Sequence, residues 1–219
     1  MNLVIKRLFD IFISITLIII FIPIWVLLIV SAIIVQKNFN IFYSDIRIFK
    51  NLNKYKIYKF RTMVDDANKI IDINKESKMG NDFKNTSLDS NLFTPFGKFL
   101  ERFQLNETLQ FYLILIGRMS FVGNRPLPIN IYDHLNNNFK NIKNIFSSPS
   151  GLTGLSQIVG KRNISTIERI NLENEYCRIY SEGINLLKID MIIIFLTVKV
   201  LLTNKYIDKK NIISLIKKY

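Results

Sequence analysis

The chain is poor in the residues that build metal and redox centres. It has one cysteine, Cys177, and one histidine, His134. A single cysteine excludes an internal disulfide, and a histidine-based metal site has nothing to be built from. Any cation would have to rest on carboxylates and phosphates. Acids are scarce too: 17 Asp and Glu stand against 30 Lys and Arg, a formal charge of +13. A surface of that sign suits polyphosphates or anionic lipid headgroups, or simply keeps the cytosolic face of a membrane protein positive. No helix-turn-helix, zinc or RNA-binding motif accompanies the charge, so no nucleic-acid partner is expected.

What abounds is apolar, at 49% of the 219 residues. Ile11 to Gln36 carries no charge and is mostly Ile, Leu, Val and Phe. As one helix it would be about 39 Å long at about 1.5 Å per residue, enough for a bilayer core of about 30 Å. Pro23 sits near its middle, where it would break or kink a helix. Lys6 and Arg7 precede the run and Lys37 follows it, which prefers both ends on the cytoplasmic face. The expectation is a re-entrant helical hairpin anchor over residues 1–38, with a simple span as the alternative, and a cytosolic domain over residues 39–219. A cleaved signal peptide fits less well, because the run is long and no small-residue cleavage site follows.

In the cytosolic part, Ile41 to Tyr43 and Tyr55 to Phe60 read as a β-hairpin around the turn-like Lys50 to Lys54. Helices are expected over Val64 to Lys75, over Thr94 to Phe103 with Pro95 at its start, over Glu107 to Ile116, over residues 129–144 and over Ile164 to Tyr180. Loops are expected over Glu76 to Ser90, Gly117 to Pro128 and Ser147 to Gly160. Leu186 to Thr203 is apolar but carries Lys188, Asp190 and Lys199, which make a deep span costly and point to an amphipathic C-terminal helix at the membrane interface. The fold class is α+β and membrane-associated, with a small β-hairpin and a mostly helical cytosolic domain.

Four segments, in order, carry a resemblance. Lys6-Arg-Leu-Phe-Asp10 opens the apolar run. Lys59-Phe-Arg-Thr-Met63 is followed by Asp66-Ala67. Leu105-Asn-Glu-Thr-Leu-Gln110 leads to Gly117-Arg-Met-Ser-Phe-Val-Gly-Asn-Arg-Pro126. Gly151-Leu-Thr-Gly-Leu-Ser-Gln-Ile-Val-Gly-Lys161 comes last, and Asp190, Thr197 and Lys199 keep a matching spacing. The chain resembles the monotopic bacterial sugar transferases, or polyprenyl-phosphate phosphoglycosyl transferases, over nearly its whole length. The resemblance implies transfer of a phosphosugar from a nucleotide sugar, commonly UDP-linked, to polyprenyl (undecaprenyl) phosphate. It implies an Asp-Glu pair and Mg2+ at the surface of the inner (cytoplasmic) membrane, facing the cytoplasm, with membrane lipids as neighbours. A carboxylate can attack phosphorus, and a metal ion offsets charge on the phosphoryl oxygens.

Against that pattern, Asn106 stands where the family has its nucleophilic Asp, while Glu107 is kept. Leu109, Arg118 and Asn124 replace a usual proline, aspartate and proline. Phe49 stands where glycine is common, and Pro149-Ser150-Gly151 alters the usual Arg-Pro-Gly. These departures are expected to cluster on the catalytic face. The catalytic positions are therefore Asn106 and Glu107, with Glu107 also the candidate metal ligand, and Lys59, Arg61, Arg125 and Gln157 the candidate substrate-binding residues. Each has a plainer reading. Lys59 and Arg61, two apart on a predicted strand, share a face and either grip phosphate or face solvent. Asn106 is also a good helix N-cap, and Glu107 a first-turn acid favoured by the helix dipole. Arg125 suits a phosphate or a loop surface. Gln157 suits a sugar or base, or the backbone of its own loop. Asp66 assists a metal or caps a helix. The functional readings are an active transferase, a catalytically inactive paralogue that binds a ligand or partner in glycan assembly, and a basic membrane-surface protein.

Overall fold

The structure is a computed structural model that describes residues 2–36, 40–64, 67, 90–160 and 164–217. Asp66, Lys161 and most of the helix and loop expected between Val64 and Ser90 lie outside the described residues.

Helix α1 runs Asn2–Gln36 and passes through Pro23 without ending. The break into two arms expected from that proline is not what the structure shows, and re-entry belongs to the reading proposed below. Lys6, Asp10, Ser14, Leu28 and Ala32 of α1 are buried, and Leu17, Phe21 and Trp25 between them pack on the core. Steps of three and four put all of these on one face. The helix thus lies along the body instead of projecting from it. Its other face exposes Leu8, Phe12, Ile15, Ile19, Val26 and Val30 among others.

Strands β1 (Phe42–Ile48) and β2 (Lys54–Phe60) form the expected antiparallel hairpin, in register from Phe42 opposite Phe60 to Ile48 opposite Lys54. Its turn, Lys50–Leu52, puts Asn51 and Leu52 at φ of 57° and 61°, a left-handed conformation that asparagine tolerates better than most residues. Helix α2 (Pro95–Arg102) starts as foreseen, with Pro95 in its first turn and the Thr94 side chain accepting from the Gly97 amide.

The expected helix from Glu107 to Ile116 is two pieces. Leu105–Gln110 is a 3-10 helix and only Phe111–Leu115 (α3) is α-helical. The two loops expected after it, Gly117 to Pro128 and Ser147 to Gly160, hide short strands. Ser120–Val122 (β3) pairs in parallel with Gly151–Thr153 (β5), and Leu127–Pro128 (β4) joins the free edge of β1. The helix expected over residues 129–144 stops early: α4 is Ile129–Asn138, and a 3-10 turn, Ile142–Phe146, follows. Helix α5 (Leu155–Val159) follows β5, and α6 (Thr166–Glu182) begins at a capping box between Ser165 and Glu168. Helix α7 (Leu186–Thr203) confirms the apolar helix read there, and α8 (Lys209–Lys217) follows it, its Ile212 and Ile216 in the main core.

One close approach of two segments frames the site. After β3 and before β5 the backbones touch: a Cβ on Gly123 would stand 2.2 Å from the Pro149 oxygen, and one on Gly151 2.2 Å from the Gly123 nitrogen. The first core lies around Tyr176, Leu113, Ile114, Leu186 and Ile193. A second joins Leu28 and Ala32 of α1 to Ile41, Phe60 and Leu100. Mostly helical, with two small sheets and one long apolar N-terminal helix, the architecture is α+β.

Candidate functional site

A cavity of about 990 Å³ opens between β2, the 105–110 turn, the loop after β3, α5 and α7. Lys59, Arg61, Asn106, Glu107, Arg125 and Gln157 all line it, so one space gathers every candidate residue from four separated segments.

Lys59, the penultimate residue of β2, donates from Nζ to Glu107 Oε1 at 2.5 Å. Arg125 donates from Nη2 to the same oxygen at 2.7 Å and from Nη1 to Oε2 at 3.3 Å. The carboxylate is buried and held by two cations. Arg61 lies just past the end of β2, its amide bound to the Ile41 carbonyl. The Gln157 Oε1 accepts from the Ser156 hydroxyl at 3.0 Å, and that hydroxyl is also 2.9 Å from Glu173 Oε1. The Gln157 Nε2 has no partner among the described residues.

Asn106 is not a helix cap, because the turn it sits in starts at Gln104, whose backbone is left-handed. Its Nδ2 donates to Glu101 Oε1 at 2.9 Å, and its buried Oδ1 has no partner among the described residues. The turn is tied to the anchor through Thr108, whose hydroxyl donates to the Leu105 carbonyl and accepts from Trp25 Nε1 at 2.9 Å.

Two residues of this cavity escaped the sequence reading. Arg47 on β1 lines it beside Arg125, donating to Asp45 and to the Pro126 carbonyl. Its only signal was the alternation of Tyr43, Asp45 and Arg47 on one strand face. Glu101, in the last turn of α2, had no signal at all. Burial, and next the Arg125 charge, push the Arg47 guanidinium down. Burial is also the main reason the Lys59 ammonium falls to about 8; Glu107 pulls it up, and Arg47 and Arg125 add to the fall. The polar half of the cavity is cation-rich. The other half is apolar, lined by Leu17 and Phe21 of α1 and Ile194, Val198 and Leu201 of α7.

The expected clustering of departures on the catalytic face is corrected here. Of those positions Asn106 alone lines the cavity. Phe49 is wholly buried in the core. Leu109 packs in the anchor cluster, and the Arg118 guanidinium stacks over Tyr55 at 4.6 Å. Asn124 Nδ2 bridges the Ile145 and Glu173 carbonyls at 2.9 Å each, and Ser150 is buried beside the strand crossing.

Among the described residues, the site as arranged does not fit Mg2+. That ion takes one or two carboxylates together with phosphate oxygens. Here both Glu107 oxygens already accept from cations, Glu101 accepts from an amide, and no group of three His, Cys, Asp or Glu stands together among the described residues.

Residues 1–204 match the profile described as bacterial sugar transferase. The chain is 32% identical to a UDP-glucose:undecaprenyl-phosphate glucose-1-phosphate transferase of Klebsiella pneumoniae, over 90% of this chain and 40% of that one. It is 34% identical to the galactosyl transferase CpsE of Streptococcus agalactiae, over 73% of this chain and 34% of the relative. It is 30% identical to the exopolysaccharide production protein ExoY of Sinorhizobium fredii, over 88% and 83%. The chain thus spans about two fifths or less of the length of the first two relatives and most of the third. With a profile match over nearly its whole length, the chain belongs to the bacterial sugar transferase family.

Proposed function

We propose that the chain transfers a phosphosugar from a UDP-sugar to undecaprenyl phosphate at the cytoplasmic membrane, the opening step of an exopolysaccharide or related glycan. The observation that carries this reading is the cavity itself, where a cation cluster meets an apolar wall. A nucleotide diphosphate matches the first half and a lipid-linked phosphate needs both. In the reaction the phosphorus bearing the sugar loses its bond to the nucleoside monophosphate, and the phosphosugar ends on the lipid phosphate. Arg47, Lys59 and Arg125 offset the charge on the phosphoryl oxygens. With an amide at Asn106, Glu107 is the carboxylate left in place to attack phosphorus. Gln157 offers a donor to the sugar or the base.

The anchor supports a monotopic placement. A helix packed on the body from Lys6 to Ala32 would draw a charged domain in after it if it crossed the hydrocarbon. Its exposed face and that of α7 (Met191, Phe195, Val198 and Leu202) suit insertion from one side. Cys177 is buried, so cysteines introduced as Asn2→Cys and Asn40→Cys can be labelled separately. Both should react from the cytosolic side only; labelling of either from the outside would mean a span.

A second reading has its own observation. An amide carbonyl is a poor nucleophile, and the Asn106 amide is engaged by Glu101, which fits a catalytically inactive paralogue that binds a nucleotide sugar or a partner in glycan assembly. One experiment separates the two. Purified protein in detergent, with undecaprenyl phosphate and a panel of UDP-sugars, is assayed for UMP beside Asn106→Asp. Release by the native chain establishes the transferase. Silence from the native chain with release by the variant establishes the inactive form.

A further inference from the structure

The acids and cations of the cavity are out of balance in a particular way. Among the described residues, Arg47, Lys59, Arg61, Arg102 and Arg125 line it, against Glu101 and Glu107. Glu107 is already neutralised by Lys59 and Arg125, and Glu101 Oε1 accepts from both the Asn106 amide and the Thr62 hydroxyl. A carboxylate at position 106 would change this. It would face Glu101 across the 2.9 Å that now holds a hydrogen bond, next to Glu107. Like charges at that separation cannot all stay ionised without a cation between them. The amide removes that demand by supplying a donor where an acid would need a metal.

The cations keep capacity for a ligand. An ammonium has three N–H donors and a guanidinium five. Lys59 gives one to Glu107, and Arg125 gives two. Arg47 gives one to Asp45 and one to the Pro126 carbonyl. These donors face a cavity from which water is largely displaced once a ligand enters, where charge-assisted bonds to phosphate are strong.

We infer that this chain binds the phosphate of its ligand through Arg47, Lys59 and Arg125 without a divalent cation, the Asn106–Glu101 hydrogen bond standing where a metal-demanding pair of carboxylates would be. The inference rests on the reading that the cavity takes a phosphate-bearing substrate, and it holds whether or not the chain turns that substrate over. The phosphate has two sources, the diphosphate of a nucleotide sugar and the phosphate of the lipid carrier.

The test is calorimetric titration of the whole chain in detergent with UDP, with undecaprenyl phosphate and with uridine, each in excess EDTA and in millimolar Mg2+. The expected result is a phosphate ligand whose Kd changes less than twofold between the two conditions, with uridine binding at least tenfold more weakly than UDP if UDP is that ligand. Whichever of UDP and undecaprenyl phosphate binds in EDTA identifies the source. In Asn106→Asp, the same titration should become metal-dependent, the Kd rising at least tenfold in EDTA. Binding of native protein in Mg2+ but not in EDTA would overturn the inference and leave the transferase reading standing. Binding of neither phosphate ligand in either condition would overturn both. Equal binding of uridine and UDP would show that the cations do not read phosphate and would overturn the inference alone.

Discussion

Two buried lysine–carboxylate pairs, one on the cavity wall and one outside its lining, are built differently. At the junction of α1, β3 and α7, Lys6 donates to Asp190 Oδ2 at 2.6 Å and to the Val122 carbonyl at 3.0 Å. The Tyr176 hydroxyl lies 2.8 Å from Asp190 Oδ1 and 3.0 Å from the same carbonyl. Asp10 completes the junction by accepting from the Phe121 amide at 3.0 Å. Burial pushes the Asp190 carboxyl up, with Lys6 opposing. None of these charged side chains lines the cavity. At Glu107 one carboxylate serves two cations that do line it, a third lining cation stands by, and the neighbouring amide oxygen has no partner among the described residues. The first cluster ties α1 to β3 and α7. The second faces the space a ligand would enter. A buried ion pair alone therefore does not mark a site; its place on a cavity wall does.

The comparison is most severely tested by Lys6→Met. It leaves Asp190 buried and unpaired, which should cost about 3–5 kcal/mol and lower the melting temperature in detergent. An unchanged melting temperature would mean the junction is not closed. Glu107→Gln should be milder for stability, about 1–3 kcal/mol, because Lys59 can release its proton into a cavity open to water. The same change should abolish UMP release; unchanged turnover would take Glu107 out of the chemistry.

The smallest effect is one of pH. The Lys59 ammonium falls from its ordinary 10.5 to about 8 on folding. Between those values the unfolded chain holds the proton and the folded chain does not, so stability rises with pH from about 8 towards 10.5. Phosphate affinity should move the other way, falling by up to about tenfold between pH 7 and 9. A pH-independent affinity would show that Lys59 does not touch the ligand. The Lys6 junction, which faces no ligand, should leave affinity unaltered.

The parts of the fold that could be read in advance are those whose signals are local. The hairpin showed in β-rich runs either side of a polar turn, α2 in Thr94 and Pro95, and α7 in a long apolar run with sparse charge. The parts that could not are those held by distant partners. Strands β3 and β5 are three residues each, too short for alternation to show, and they pair across an intervening helix. The 105–110 turn was read as part of a longer helix, because its tie from Thr108 to Trp25 joins residues far apart in sequence. The candidate residues came mainly from the resemblance, and the cavity unites them. Arg47 and Glu101 were missed because their role depends on which neighbours the topology brings, and no spacing announces that.

The touching backbones at Gly123 and Gly151 have a consequence for how this molecule can change. Arg125 follows Gly123 and Gln157 follows Gly151, and no side chain fits between the two touching segments. On this side the cavity is therefore framed by peptide against peptide, like the jaws of a fixed caliper. Side chains beyond the jaws can be exchanged, as the amide at position 106 illustrates, while the backbone spacing stays the same.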